Sequence, residues 1–216
     1  MLQTNLVNQI YDLIVKKIIS GDLKMGAKII ISSIAKEYNV SSTPVREALN
    51  QLSKEGLVEN IPNVGNIVFK MNKKEMEEIL YIRELLERSS LKYTLKEENT
   101  QTFKKLLTYF KELKNENDQL EIRKKFYQWD TDIHLSIIRS TSNYRLVEMY
   151  KRIFNILFVF ILKMHHSDEL YGQNYDHCIE LLEAITEKKY LKAKNSLEVH
   201  FKHTRKYLRK YFKQKT

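Results

Sequence analysis

After Gly65 this chain has a single glycine, Gly172, and after Pro62 it has no proline. Those two residue types supply the positive φ values and fixed bends on which tight turns and sheet corners depend. Residues 73–216 therefore read as helices joined by short polar links. Apolar spacing predicts them at 73–96, 100–115, 119–140, 144–165, 172–187 and 190–212. Asn72, with Glu75 three residues on, has the form of a capping box that opens the first of them. No repeat of solenoid length is present.

The first seventy residues have a different texture. Leu6, Ile10, Leu13, Ile14 and Ile18 recur at helical spacing until Ser20-Gly21-Asp22. Ile34, Ala35 and Tyr38 mark a short second helix. A third is predicted from about Thr43 to Lys54, with Ser41 or Ser42 available as cap, Pro44 in the first turn and Gly56 at its end. Residues 57–61 and 66–69 then read as strands around the turn Pro62-Asn63-Val64-Gly65. Three helices and a hairpin make a winged helix-turn-helix. The fold class is mainly α: a winged helix-turn-helix over 1–71, then an all-α helical bundle over 72–216.

Composition narrows the function. The 216 residues are 43% hydrophobic and 30% charged, a globular balance. One cysteine excludes a disulfide framework and any zinc site built on paired cysteines, and points to a reducing cytoplasm. Neither a secretory leader nor a membrane span is legible; the longest apolar run, Ile153 to Leu162, is interrupted by Asn155, and a span needs roughly 20 residues. The net charge of +10 lies in residues 188–216, which carry eleven Lys/Arg against Glu198 alone. It reads as a basic helix face rather than as proof of a nucleic-acid surface.

The most informative string is Ser41-Ser42-Thr43-Pro44-Val45-Arg46-Glu47-Ala48-Leu49, followed by Leu52 and Gly56-Leu57-Val58. A helix N-terminus flanked by Ser41, Ser42 and Thr43 offers backbone N–H groups and hydroxyls to a phosphate. Arg46, one turn in, reaches a guanine edge or a phosphate in the major groove. Asn63 and Gly65 sit at the wing tip, where backbone can approach the minor groove. With Ile34-Ala35 before it and the wing after it, this stretch resembles the GntR family of bacterial transcription regulators. The helical remainder is similar to the ligand-sensing (FCD-like) domain of that family's FadR-type branch. The resemblance implies a homodimer that reads an inverted repeat in double-stranded DNA under the control of a small effector. Two departures lie at Ser42 and Ser32, where relatives carry basic residues, so operator preference does not transfer. Met25-Gly26 replaces the usual Pro-Gly.

In the second segment, Asp130 and His134 are one helical turn apart, with Phe126, Ile133 and Ile137 on the same face. His200 lies among Leu197, Phe201 and Thr204. Buried carboxylates and imidazoles need partners, and a divalent metal satisfies both. The resemblance implies a metal held by an Asp-x-x-x-His pair plus two histidines from the last two helices. Here register puts Cys178 at one of those histidine positions. Three readings stand: Cys178 binds as thiolate, giving an Asp130/His134/Cys178/His200 set suited to zinc; His177, about 100° away around the helix, binds instead; or tight binding is lost. His165 and His166, at a helix end, read as exposed.

Arg83 falls on the core-facing stripe Met76, Ile79, Leu80, Arg83, Leu86, Ser90 and needs an anion. Glu87, one turn on, is one candidate. An effector carboxylate is the other, the role implied by the resemblance, with Asn143 and Asn155 as further hydrogen-bonding groups and a small organic acid as ligand. The alternative from another class is a metal-dependent hydrolase using Asp130, His134 and His200. It has no His-Glu-x-x-His helix and no G-x-S-x-G elbow behind it.

Overall fold

The structure, a computed structural model, describes residues 2–113, 119–164 and 168–214. The chain forms two compact units: Met1–Met76 with Lys151–His165, and Glu77–Tyr150 with His166–Thr216. No described helix is long and apolar enough to cross a membrane.

The first unit is a winged helix-turn-helix. Its elements are α1 (Leu2–Ser20), β1 (Lys28–Ile29), α2 (Ile31–Glu37), α3 (Ser42–Lys54), β2 (Val58–Ile61) and β3 (Gly65–Val68). Ile10, Ile14 and Ile18 of α1 and Val45, Ala48, Leu49 and Leu52 of α3 are buried, as the helical spacing predicts, and α1 packs on α3. Asn39 takes φ 53° in the turn between α2 and α3, a conformation asparagine tolerates better than most residues.

Both strands read from the sequence form, and β1 adds a third that its two residues were too short to announce. The antiparallel order is β1-β3-β2, with Lys28 opposite Ile67 and Val58 opposite Val68. At the wing tip the amide of Val64 donates to the carbonyl of Ile61 at 3.1 Å, and Asn63 takes φ 61°, the sign a type II turn needs at its third residue. Gly56 has φ 79°, and a Cβ there would sit 2.7 Å from Ile156 Cδ1. Glycine is favoured at this position chiefly by the positive φ, with the tip of the Ile156 side chain crowding the same spot.

The second unit is all helical. Helix α4 (Lys73–Ser90) passes into a 3₁₀ turn over Leu91–Leu95, and α5 (Glu97–Leu113), α6 (Gln119–Arg139), α7 (Tyr144–Met164, of which the residues from Lys151 on belong to the first unit), α8 (Asp168–Thr186) and α9 (Tyr190–Gln214) follow. The box at the start of α4 closes reciprocally: Asn72 N–H donates to Glu75 at 2.8 Å, and Glu75 N–H to Asn72 Oδ1 at 3.0 Å. The single helix expected over 73–96 ends early because serine hydroxyls compete for its carbonyls. Ser89 and Ser90 both donate to Leu86 O, a competition that slightly destabilises and bends a helix. Helix α8 begins before Gly172, a glycine tolerated inside a helix at a cost of about 1 kcal/mol. His165 and His166 lie outside the described residues.

Candidate functional site

On the first unit, one face of α3 is exposed and polar. Pro44, Val45, Ala48 and Leu49 are buried, and Ser41, Ser42, Thr43, Arg46, Glu47 and Asn50 remain outside. Ser41 takes the N-cap position in extended conformation, yet its side chain makes no cap hydrogen bond. The hydroxyl and the first amides of the helix are therefore turned to solvent, an arrangement that suits a phosphate. Asn63 is exposed at the wing and Gly65 half-buried. The strand β1 brings in a cation that sequence reasoning missed: exposed Lys28 runs alongside Gly65, its Cε 3.5 Å from where a Gly65 Cβ would be. Only the strand pairing reveals this neighbour, since the two residues are distant in sequence.

The second unit holds a buried polar cluster contributed by five helices. Arg83 and Glu87 come from α4, Asp130 and His134 from α6, Tyr150 from α7, Cys178 from α8 and His200 from α9. Arg83 Nε donates to Glu87 Oε1 at 2.7 Å, with Arg83 2% and Glu87 0% exposed. The other Glu87 oxygen lies 2.6 Å from His134 Nδ1, and the Tyr150 hydroxyl donates to Glu87 Oε1. Arg83 also stands over the Phe201 ring at 5.3 Å, a contact that favours a desolvated guanidinium.

Beyond His134, the donor atoms converge. His134 Nε2 is 3.1 Å from His200 Nε2 and 3.5 Å from Asp130 Oδ1. Cys178 Sγ donates to Asp130 Oδ1 at 3.2 Å. Asp130, Cys178 and His200 each place one potential ligand atom within 4.8 Å of the others.

Charges inside the cluster are set by a contest between burial and neighbours. Burial alone would raise Glu87, but His134 and Arg83 together hold its carboxyl down at about 2. Burial also opposes ionisation of Asp130, and His134, then His200 and Arg83, overcome it to keep the group well below the usual carboxylate range. Burial and Arg83 push His134 down, yet Glu87 and Asp130 outweigh them and raise it. His200, by contrast, is driven down to about 3 by burial and by the neighbouring His134. Burial and the Asp130 charge push the Cys178 thiol well up.

This donor set fits a borderline divalent ion. Tetrahedral zinc puts two nitrogen or oxygen ligand atoms about 3.3 Å apart and a sulfur and an oxygen about 3.5 Å apart; His134 Nε2 stands 3.1 Å from His200 Nε2 and 3.5 Å from Asp130 Oδ1, and Cys178 Sγ 3.2 Å from Asp130 Oδ1, each within about 0.3 Å of its edge. Glu87 accepts from His134 Nδ1 and leaves Nε2 facing the other donors, the outer-sphere arrangement typical of metal-ligating histidines. His200 Nδ1 is buried with no hydrogen-bond partner among the described residues, so this second imidazole lacks the equivalent support.

Of the candidates read from the sequence, Asp130, His134, Cys178 and His200 are brought together. His177 is turned to a different neighbour, its ring centroid 4.8 Å from that of His203. Arg83 meets Glu87. Asn143 is exposed, its Oδ1 accepting from the Leu146 amide at 3.1 Å as the cap of α7. Asn155 lies in the first unit, where its amide donates to Glu55 Oε2 at 3.2 Å. No described hydrogen bond links either asparagine to the buried cluster. Tyr150 was missed, because nothing in the sequence pairs it with a glutamate 63 positions earlier.

Comparison with known proteins places these features among regulators. Residues 6–68 match the model for bacterial regulatory proteins of the gntR family, and residues 78–203 match the FCD domain. A probable D-xylose utilization operon transcriptional repressor of Paenarthrobacter nicotinovorans is 29% identical over 170 residues, 78% of this chain and 73% of that protein. An uncharacterized HTH-type transcriptional regulator of Bacillus subtilis (strain 168), YdhC, is 25% identical over 207 residues, 90% and 87% of the two chains. Among solved structures, E. coli McbR/YncC has the same fold, with a TM-score of 0.71 at 20% identity over 96% of this chain and 98% of that one. A protein described as a putative transcriptional regulator GntR from Rhodococcus sp. RHA1 gives a TM-score of 0.74 at 17% identity, covering 94% and 96%. These families and relatives are transcriptional regulators, not enzymes, and the hydrolase reading of Asp130, His134 and His200 is set aside.

Proposed function

Since this chain belongs to the gntR family of bacterial regulatory proteins and carries an FCD domain, we propose that it is a cytoplasmic homodimeric regulator of the FadR type, with residues 1–71 reading DNA and 72–216 sensing an effector and dimerising. Ser41, Ser42, Thr43 and Asn63 position the phosphate backbone, Gly65 permits close approach of the wing, and Arg46 contacts a base. Lys28 adds a phosphate contact beside the wing. Two such heads on a two-fold axis call for an inverted-repeat operator. Support for self-association comes from the outward face of α4, where Tyr81, Ile82 and Leu85 are 62%, 41% and 49% exposed, more apolar surface than a solvated helix needs.

In the sensing unit, Asp130, His134, Cys178 and His200 hold a divalent ion, most compatible with zinc. When bound, the ion supplies a Lewis-acidic coordination position for a small carboxylate. Arg83, shared with Glu87, supplies positive potential at the same cluster. The effector acts by favouring one dimer conformation over another. A coupling of about 1–3 kcal/mol changes operator affinity roughly 5- to 150-fold.

The observation that carries this reading is the exposed Ser41–Arg46 face of α3 joined in one chain to the buried carboxylate–imidazole–thiol cluster. Genome-wide footprinting tests the first half: discrete, two-fold symmetric sites are expected, and their absence under every growth condition would overturn it. Elemental analysis of the purified protein, with a thermal-shift screen of small carboxylates, tests the second.

A further inference from the structure

Helices α8 and α9 fold back on each other through the turn at Glu187–Lys189. Cys178 and His200 occupy one level of this pair. Beside and beyond that level, the same two helices present His177, next to Cys178 but turned about 100° around α8, Asn174 one turn farther from the connection, and His203 one turn beyond His200 on α9. The His177 and His203 rings stand 4.8 Å apart between centroids at 62°. That spacing nearly matches the 4.7 Å of His134 and His200 in the cluster already described.

Two buried polar atoms at this level have no hydrogen-bond partner among the described residues: His177 Nδ1 and Asn174 Oδ1, with Asn174 only 6% exposed. They project from positions three apart on one helix, hence from one face. The edge-to-face contact of the two imidazoles leaves both atoms unsatisfied, at a cost of about 1–3 kcal/mol each. A cation that accepts an imidazole lone pair and an amide carbonyl relieves both at once.

We propose that Asn174, His177 and His203 form a second metal site, for a borderline divalent cation of the zinc, cobalt or nickel class, distinct from the Asp130/Cys178/His200 cluster. Two neutral imidazoles and an amide oxygen carry no charge, so the site leaves room for water and binds more weakly than one containing carboxylate and thiolate. Its occupancy tracks free metal in a range where the deeper cluster is already full. The inference assigns His177 to its own site and does not depend on the deeper cluster being loaded.

Cobalt(II) titration of the full-length, chelator-stripped protein tests it. Two equivalents per chain are expected by elemental analysis: one with a thiolate-to-cobalt charge-transfer band from Cys178, one without. His203→Ala, checked for folding by circular dichroism, should weaken the band-free equivalent by at least about tenfold and leave the thiolate band intact. His203→Gln should do the same, which guards against a packing artefact at alanine. If the deeper cluster binds nothing, the thiolate band is missing from the wild type, yet the band-free equivalent should remain and still weaken by at least about tenfold in His203→Ala. A single equivalent carrying the thiolate band, or a band-free equivalent that both His203 variants retain, overturns the proposal.

Discussion

Glu87 and His134 meet at 2.6 Å, Oε2 to Nδ1, at a point where one is 0% and the other 1% exposed. A carboxylate in such a place survives only because it is fully occupied: Arg83 and Tyr150 meet its other oxygen. Its ionised form is bound far more strongly in the folded chain than in the unfolded one, and its pKa falls from 4.5 to about 2. A depressed carboxylate contributes stability that is complete above the unfolded value and is lost as pH falls through the folded one. In chelator-stripped protein, denaturant unfolding of wild type and Glu87→Gln should therefore differ most near pH 7 and converge as pH drops toward 2. Equal differences at both ends would mean that Glu87 contributes by shape and not by charge.

The same residue predicts a metal phenotype. Glu87→Gln keeps an oxygen to accept from His134 Nδ1 but removes the charge that makes the ring more basic, so, if the cluster holds metal as proposed, it should weaken metal binding by about 10- to 100-fold without changing stoichiometry at saturation. Competition with a chromophoric chelator measures this directly.

Much of this architecture was legible before any coordinates. The helix phases were, because Ile10, Ile14, Ile18 and Leu181, Leu182, Ile185 repeat at the spacing that buries one stripe. Cys178 shares the buried face with Leu181, Leu182 and Ile185, while the sequence alone left Cys178 and His177 both open as ligands. Tyr150 and Lys28 were not legible, because each acquires its role from a neighbour remote in sequence. Asn155 was ambiguous for another reason. A lone amide in an apolar run announces that it has a partner, and the sequence does not say which. That partner is Glu55, which also accepts from the Tyr11 hydroxyl at 2.6 Å.

Asn155→Ala should accordingly act on stability and not on sensing. Losing one hydrogen bond to a charged, half-buried carboxylate costs about 1.5–3 kcal/mol. A lowered melting temperature is expected, with the carboxylate thermal-shift response unchanged in size. Loss of that response at intact fold would return Asn155 to the effector site.

At the DNA face, Arg46 and Lys28 should fail in different ways. If Arg46 contacts a base as proposed, Arg46→Ala lowers operator affinity by about 1–3 kcal/mol and relaxes discrimination at one base pair. Lys28→Ala removes a phosphate contact, so binding weakens on every sequence and the salt slope drops by about 0.9. Gel shifts over a salt series, on operator and scrambled duplex, separate the two. If both variants lose only sequence-independent binding, Arg46 clamps a phosphate.

Gly56 offers a test of the first unit's packing that is independent of DNA. An alanine there meets two separate costs. Its backbone must hold φ 79°, and its Cβ must displace Ile156 Cδ1 from 2.7 Å. The left-handed conformation alone costs about 1–2 kcal/mol for a residue with a β-carbon. The Ile156 contact involves the far end of a flexible chain and adds less. In a double-mutant cycle, Ile156→Val should recover only the smaller part of the Gly56→Ala loss, because it opens space without changing the backbone. Gly56→Asn should be better tolerated than alanine in backbone terms, yet it keeps the clash, so it too should improve when combined with Ile156→Val. Full recovery of Gly56→Ala by Ile156→Val would show that crowding, and not the positive φ, makes glycine necessary here.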